Sequence, residues 1–201
     1  MNIIDDHQVI NNGTINIEGT DNFISLGFGS TINPATFTNN GSIVFNNTNL
    51  SILEVKSNGV FTNTSSGSII FNYATAILNV ISGSFTNQGS IETKGRIINS
   101  NTLVNTNTGN ILVHNYSETA ISNGGTLENN GTILVNNPLP TALYCINNSG
   151  TISGTGSVSL SGFYTIYNTN TGNITFEGPV LLEGDLHFGG VFNQGNITFD
   201  N

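Results

Sequence analysis

The sequence is poor in charged side chains, and this excludes several classes of partner. Only 7% of the 201 residues are charged, with three Lys and Arg against twelve Asp and Glu, so the net charge is −9. Three cations cannot neutralise the phosphates of a nucleic acid, and an acidic chain is repelled by polyanions. We therefore expect no nucleic-acid partner. The sequence also lacks an apolar run of about 18 residues, so we expect no membrane-spanning helix.

The sequence contains one cysteine and no tryptophan. The single Cys145 excludes an intramolecular disulfide and a zinc site built on Cys-x-x-Cys, and we expect it to be a small core residue. The first ten residues, MNIIDDHQVI, lack the basic segment and the apolar stretch of a secretory signal peptide.

Asparagine and glycine are abundant instead, with 35 and 24 residues, and they recur in one phrase. The phrase contains Asn, one or more polar residues, Gly, a polar residue and Ile, as in Asn39–Ile43. Its nine glycines are separated by 19 to 28 residues: Gly13, Gly41, Gly67, Gly89, Gly109, Gly131, Gly150, Gly172 and Gly195. A period of about 22 residues indicates a solenoid or an array of repeats.

Each repeat has the alternation of β-strands and no helical pattern. In Ile43–Phe45 and Ile69–Phe71, for example, two apolar residues separated by one residue face the same side of a strand. We predict an all-β, single-domain parallel β-helix, or β-solenoid, over residues 1–201, with about nine coils and glycines that supply positive φ at the corners. The alternative is a β-sandwich of many short strands, which gives no reason for Asn to recur at one phase.

In a parallel solenoid, equivalent residues of successive coils stack about 4.8 Å apart. The repeated Asn should then form one amide ladder at one corner: Asn11, Asn39, Asn63, Asn87, Asn105, Asn129, Asn147, Asn168 and Asn193. The repeated Ile should form one interior column: Ile15, Ile43, Ile69, Ile91, Ile111, Ile133, Ile152, Ile174 and Ile197.

Phrases such as FTNNGSIVF (residues 37–45) and LENNGTILV (residues 127–135) give the chain a family resemblance. Over nearly its whole length it resembles the Asn- and Gly-rich β-helices of bacterial surface proteins, such as haemagglutinin-type and autotransporter adhesins. This resemblance implies a parallel β-helix and an extracellular or cell-surface location.

Residues that could carry chemistry are few, and we expect neither enzymatic activity nor a cofactor. The candidate for a metal site or an acid–base site is Glu183, Asp185 and His187, which alternate along one predicted strand and share its polar face. A solvated outer face explains the same pattern. The alternative activity, that of a polysaccharide-active enzyme, would depend on these three residues.

Two further patterns indicate contacts with other molecules. The residues that follow the repeat Ile include Val44, Ile70, Leu112 and Leu134, a broken apolar stripe suited to lateral packing and interrupted by Glu92. This position does not carry Thr in most repeats, so we do not predict the regular Thr array of an ice-binding face.

The first and last repeats resemble interior coils and contain no visible cap. We therefore predict a structural subunit that stacks head to tail with copies of itself into an extracellular or cell-surface filament. The alternative is an adhesin or stalk segment that binds glycans or other surfaces.

Overall fold

The predicted β-solenoid is confirmed by the computed structural model. The structure describes residues 1–4, 7–28, 34–46, 50–114, 118–137, 144–162, 164–184 and 190–200, without the side chains of 4, 28, 137 and 184. The described residues form 26 strands and no helix, and the strands lie in three parallel sheets. Successive strands pass through sheets A, B and C in turn, so every third strand returns to the same sheet.

The strands of each sheet lie in chain order. Sheet A contains β1 (Asn2–Ile4), β4 (Asn22–Phe28), β7 (Ser51–Val55), β10 (Ile77–Val80), β13 (Arg96–Asn99), β16 (Ile121–Asn123), β19 (Ile146–Asn148), β22 (Ile166–Asn168) and β25 (Val191–Asn193). Sheet B contains β2 (Gln8–Asn11), β5 (Thr36–Asn39), β8 (Val60–Asn63), β11 (Ser84–Asn87), β14 (Thr102–Asn105), β17 (Thr126–Asn129), β20 (Thr151–Ser153), β23 (Asn173–Phe176) and β26 (Asn196–Phe199). Sheet C contains β3 (Thr14–Ile17), β6 (Ser42–Phe45), β9 (Ser68–Phe71), β12 (Ser90–Thr93), β15 (Asn110–His114), β18 (Thr132–Asn137), β21 (Ser157–Gly162) and β24 (Val180–Gly184).

The number of coils differs slightly from the prediction. Sheets A and B have nine strands each, whereas sheet C has eight. The described residues therefore form eight complete coils followed by two strands, rather than nine complete coils. None of the described residues belongs to a helix long and apolar enough to cross a membrane.

Identical side chains stack in register along the interior. Phe61 pairs with Phe37 in the coil before it and with Phe85 in the coil after it. The ring centroids of these pairs are 4.8 and 4.7 Å apart, and the rings lie within 6° of parallel. Because all three rings are fully buried, this column is part of the apolar core.

The corner glycines are required for a different reason from the one predicted. Among the described residues, positive-φ glycines are Gly19, Gly27 and Gly154, and none belongs to the repeated phrase. A Cβ on Gly89 would instead lie 2.1 Å from the carbonyl oxygen of Gly67 in the coil before it. Close stacking of backbone on backbone therefore selects glycine at these corners.

Candidate functional site

The first amide ladder lies at the end of the sheet B strands, inside the corner that leads to sheet C. Each Asn donates its Nδ2–H to the Oδ1 of the Asn in the next coil, and all five of these distances are 2.8 Å. The rungs are Asn11, Asn39, Asn63, Asn87, Asn105 and Asn129. From Asn39 to Asn129 they are buried to 2% exposure or less, so water does not compete for these bonds.

A single rung shows why an amide is required. Asn63 Nδ2 donates to Asn87 Oδ1, to the Gly67 carbonyl at 3.3 Å and to the Ser90 carbonyl at 3.1 Å. Its Oδ1 accepts from Asn39. An amide carries both a donor and an acceptor, so each rung can bond on both sides, which neither a carboxylate nor an aliphatic side chain could do.

A second ladder lies at a different corner and was not predicted. It follows the ends of the sheet A strands, with Nδ2–Oδ1 distances of 2.7 to 2.8 Å. Its rungs are Asn99, Asn123, Asn148, Asn168 and Asn193. Asn99 and Asn123 are followed four residues later by Leu103 and Leu127, the same spacing that joins Asn39 to Ile43, so this signal was present in the sequence.

The prediction of one continuous ladder is therefore wrong. Asn168 and Asn193 belong to the second ladder, whereas the first ladder ends at Asn129. Asn147 is not a rung, because it faces outward in register with Tyr167, and its neighbour Asn148 takes the rung position.

The single interior column is corrected in the same way. Its first six members, up to Ile133, lie in sheet C, whereas Ile152, Ile174 and Ile197 lie in sheet B. All nine face the interior, but they form parts of two columns. In sheet C, the position after Ile133 is taken by Val158.

Charged and titratable groups form no compact site in the described residues. Lys56 Nζ lies 2.6 Å from Glu54 Oε2, and Arg96 pairs with Glu118. No group of three or more His, Cys, Asp or Glu within the described ranges is arranged to hold a metal ion. Glu183 is exposed on β24, but Asp185 and His187 lie outside the described residues, so the grouping of all three stays a prediction.

The one cysteine is fully buried. Its thiol donates to the Ser161 carbonyl oxygen at 3.6 Å, and burial raises the pKa of Cys145 to about 12. Thiolates are the reactive form, so this group is chemically inert in the folded chain.

The outer face of sheet C carries the predicted aliphatic stripe. Val44 pairs with Ile70, and Leu112 pairs with Leu134, with Glu92 between the two pairs. Leu134 is exposed, and the other three aliphatic residues are half-buried. This stripe is therefore accessible to solvent in the single chain.

A Thr column lies on the outer face of sheet B, in three of the early coils. Thr38, Thr62 and Thr86 stack in register and face outward, half-buried. Within the described part of the chain, their hydroxyls have no side-chain hydrogen bond. On sheet C, by contrast, outward hydroxyls can bond to each other, and Ser68 Oγ donates to Ser42 Oγ at 3.1 Å.

Aromatic rings form a third outer stack, at the later coils of sheet A. Tyr167 stacks on Phe192 with ring centroids 5.0 Å apart and planes at 5°. Tyr144 contacts both Tyr167 and Tyr164, and burial, followed by the proximity of those two phenols, raises the pKa of Tyr144. The outer face of the Phe192 ring remains open, and this residue is 52% exposed.

The coil formed by β25 and β26 exposes side chains that are buried elsewhere. Val191 and Phe199 are 40% and 50% exposed, whereas their register partners Ile166 and Phe176 are buried. At the opposite end, Ile15 and its neighbours in the first coil are only partly buried.

Comparisons of the chain with protein-family models, with curated proteins and with solved structures found no match.

Proposed function

We propose that this protein is a structural subunit that stacks head to tail with copies of itself into an extracellular or cell-surface filament. The observation that carries the proposal is the exposure of interior side chains in the first and last described coils. Val191 and Phe199 occupy interior columns, yet they are exposed, and none of the described strands lies over them. A second copy stacked on this coil would bury them as the preceding coils are buried.

The backbone of the end coils favours the same association. Every strand of an interior coil pairs with one strand before it and one after it. The strands β25 and β26 pair only with β22 and β23 among the described residues. Their outer edges therefore offer N–H and C=O groups to an incoming strand, as in β-strand addition.

The low charge of the chain supports stacking over many copies. Like charges in equivalent positions would lie about 4.8 Å apart along the filament axis and would repel one another. Only 7% of the residues are charged, and most stacked columns carry amides, hydroxyls or aliphatic groups. In this proposal the protein is not an enzyme, and the stripe of Val44, Ile70, Leu112 and Leu134 packs filaments side by side.

Electron microscopy of the purified chain over a range of concentrations tests the proposal. We expect unbranched filaments with a subunit rise of about 42 Å, from 26 strands in three sheets and a strand spacing of about 4.8 Å. Light scattering should show a mass that increases with concentration. Single rods at every concentration would contradict the proposal.

The adhesin role is the second candidate, and the Thr column on sheet B favours it. Hydroxyls that repeat over three successive coils, with no intramolecular partner among the described residues, can bond to an ordered hydroxyl surface, either a crystalline polysaccharide or ice. Removal of the protein from solution by insoluble cellulose or chitin tests for binding to a polysaccharide. Inhibition of ice recrystallisation tests for binding to ice. Thr62→Lys should abolish the activity while Ser90→Lys on sheet C retains it, and equal loss in both variants would contradict this role.

A further inference from the structure

We infer that the joint between two copies has one specific register, in which β2 of the next copy pairs with β25 and its β3 pairs with β26. This inference rests on the proposed head-to-tail stacking and specifies its geometry. Because β2 belongs to sheet B and β25 to sheet A, the second copy is rotated by one third of a turn about the axis. Its β1 then lies beside β24, so each of the three sheets continues by one strand.

The register follows from the two corner sequences. Residues 11–17 read NNGTINI and residues 193–199 read NQGNITF, with Asn, Gly and the apolar residues at the same positions. The corner geometry is also the same at both sites of the repeated phrase. A Cβ on Gly131, between sheets B and C, would lie 2.2 Å from the carbonyl of the Gly before it, and a Cβ on Gly195, between sheets A and B, would also lie 2.2 Å from the equivalent carbonyl.

This register joins the two amide ladders into one. The second ladder ends at Asn193, which accepts from Asn168, and the first ladder begins at Asn11, which donates to Asn39. In the joint, Asn193 Nδ2 would donate to Asn11 Oδ1 of the next copy, in the same direction as every other rung. The change of corner within one chain is thus compensated by the rotation between chains.

The side chains beside the ladder match as well. Inside the rod, Val9 of the next copy would cover Val191, and Ile17 would cover Phe199. Outside, Ile10 would cover the open face of Phe192, and these two residues are 53% and 52% exposed in the single chain. Apolar groups therefore meet apolar groups on both faces of the joint.

Stacking without rotation is less favourable. It would place β2 of the next copy on β26, so that Asn11 would lie over Phe199 and Ile10 over Thr198. The amide of Asn11 would then face a phenyl ring instead of a hydrogen-bonding partner. Asn193 would likewise have no Asn above it.

Pairs of cysteines distinguish the two registers. Asn12 and Asn40 hold equivalent positions in the first two coils, where Asn40 Nδ2 donates to Asn12 Oδ1 at 2.8 Å. In the rotated joint Asn12 opposes Gln194, and in the unrotated joint it opposes Asp200. Neighbouring strands place Cα atoms about 4.8 Å apart, which a disulfide can span.

The 201-residue chain would carry Cys145→Ser together with Asn12→Cys and either Gln194→Cys or Asp200→Cys. After mild oxidation of assembled protein, we expect the 12/194 pair to form a ladder of covalent oligomers on a non-reducing gel, with at least tenfold less product from the 12/200 pair. Filaments linked through 12/200, or through neither pair, would overturn this register but leave head-to-tail stacking intact. Absence of filaments in the wild-type chain would overturn both.

A glycine substitution provides an independent readout. In the single chain a Cβ on Gly13 would have no atom within 4 Å, whereas in the rotated joint it would meet the carbonyl of Gly195, as a Cβ on Gly41 meets that of Gly13 at 2.0 Å. Gly13→Ala should therefore keep the thermal midpoint of the single chain and raise the concentration needed for assembly at least tenfold. The control is Gly124→Ala, whose Cβ would have its nearest neighbour at 3.6 Å. Normal assembly of Gly13→Ala would overturn the register.

Discussion

Removing one interior rung of the first ladder should destabilise the fold far more than removing the last rung of the second. In Asn87→Ala the chain loses the bond from Asn63 Nδ2 and the bond to Asn105 Oδ1, both 2.8 Å long. It also loses two longer bonds, from Asn87 Nδ2 to the Gly89 and Asn110 carbonyls at 3.2 and 3.3 Å. Asn63 Nδ2 keeps two carbonyl acceptors, but Asn105 Oδ1 keeps no other donor among the described residues. The variant therefore leaves one buried acceptor unsatisfied.

The magnitude follows from these losses. The two short rung-to-rung hydrogen bonds contribute about 1 kcal/mol each, and an unsatisfied buried acceptor costs about 1 to 3 kcal/mol. These terms alone should lower the free energy of unfolding of Asn87→Ala by about 3 to 5 kcal/mol. Asn193 is exposed, and water can replace its partner, so Asn193→Ala should cost less than about 1 kcal/mol.

Urea unfolding followed by far-ultraviolet circular dichroism measures this difference. Both variants and the wild type would be compared at two protein concentrations, because assembly would make the apparent stability depend on concentration. Unchanged slopes with denaturant would indicate that the variants unfold as the wild type does. Equal costs for Asn87→Ala and Asn193→Ala would refute the view that the buried ladder stabilises the rod.

Three further predictions concern the corner glycines, the phenylalanine column and the thiol. Gly89→Ala should unfold at clearly lower urea than Gly13→Ala, because its Cβ would lie 2.1 Å from a carbonyl while that of Gly13 would meet nothing; similar midpoints would refute the packing argument. Phe61→Ala should cost about 3 to 5 kcal/mol in the same assay, and Phe199→Ala much less, since only the first ring is buried; equal costs would contradict this. Cys145 should resist Ellman's reagent until the chain unfolds, and rapid labelling of the native chain would refute its burial. Its contribution to stability should be constant below about pH 8.5, then fall as pH increases toward 12, because only the unfolded thiol ionises there; Cys145→Ala, which lacks this pH dependence, is the control.

Much of the architecture could be predicted because its signals are local. Strands are predicted from apolar and polar residues that alternate with a period of two. Phe45 and Ile69 can therefore be assigned to an interior face from their neighbours in the sequence alone. Repetition of one phrase then indicates parallel stacking, since equivalent residues must meet in successive coils. The roles of Asn39, Asn63 and Asn87 as rungs follow directly from that stacking.

The glycine corners illustrate a feature that the sequence identified for the wrong reason. Gly89 was expected to adopt positive φ, as glycine often does in turns. Its requirement comes from the carbonyl of Gly67, a residue 22 positions earlier that the solenoid brings against it. Such crowding is a property of the stacked coils, and a single repeat contains no sign of it.

By itself, the sequence determined the strands, the residues that face the interior and the existence of an amide ladder, because each depends on residue type and on short spacing. The corner that each Asn occupies was decided only by the tertiary structure. Between Gly109 and Gly131 the chain forms three strands, but between Gly131 and Gly150 only β18 and β19 are described, although the two spacings are similar. The repeated phrase moves to another corner there, because sheet position depends on the number of strands formed and not on the number of residues between glycines.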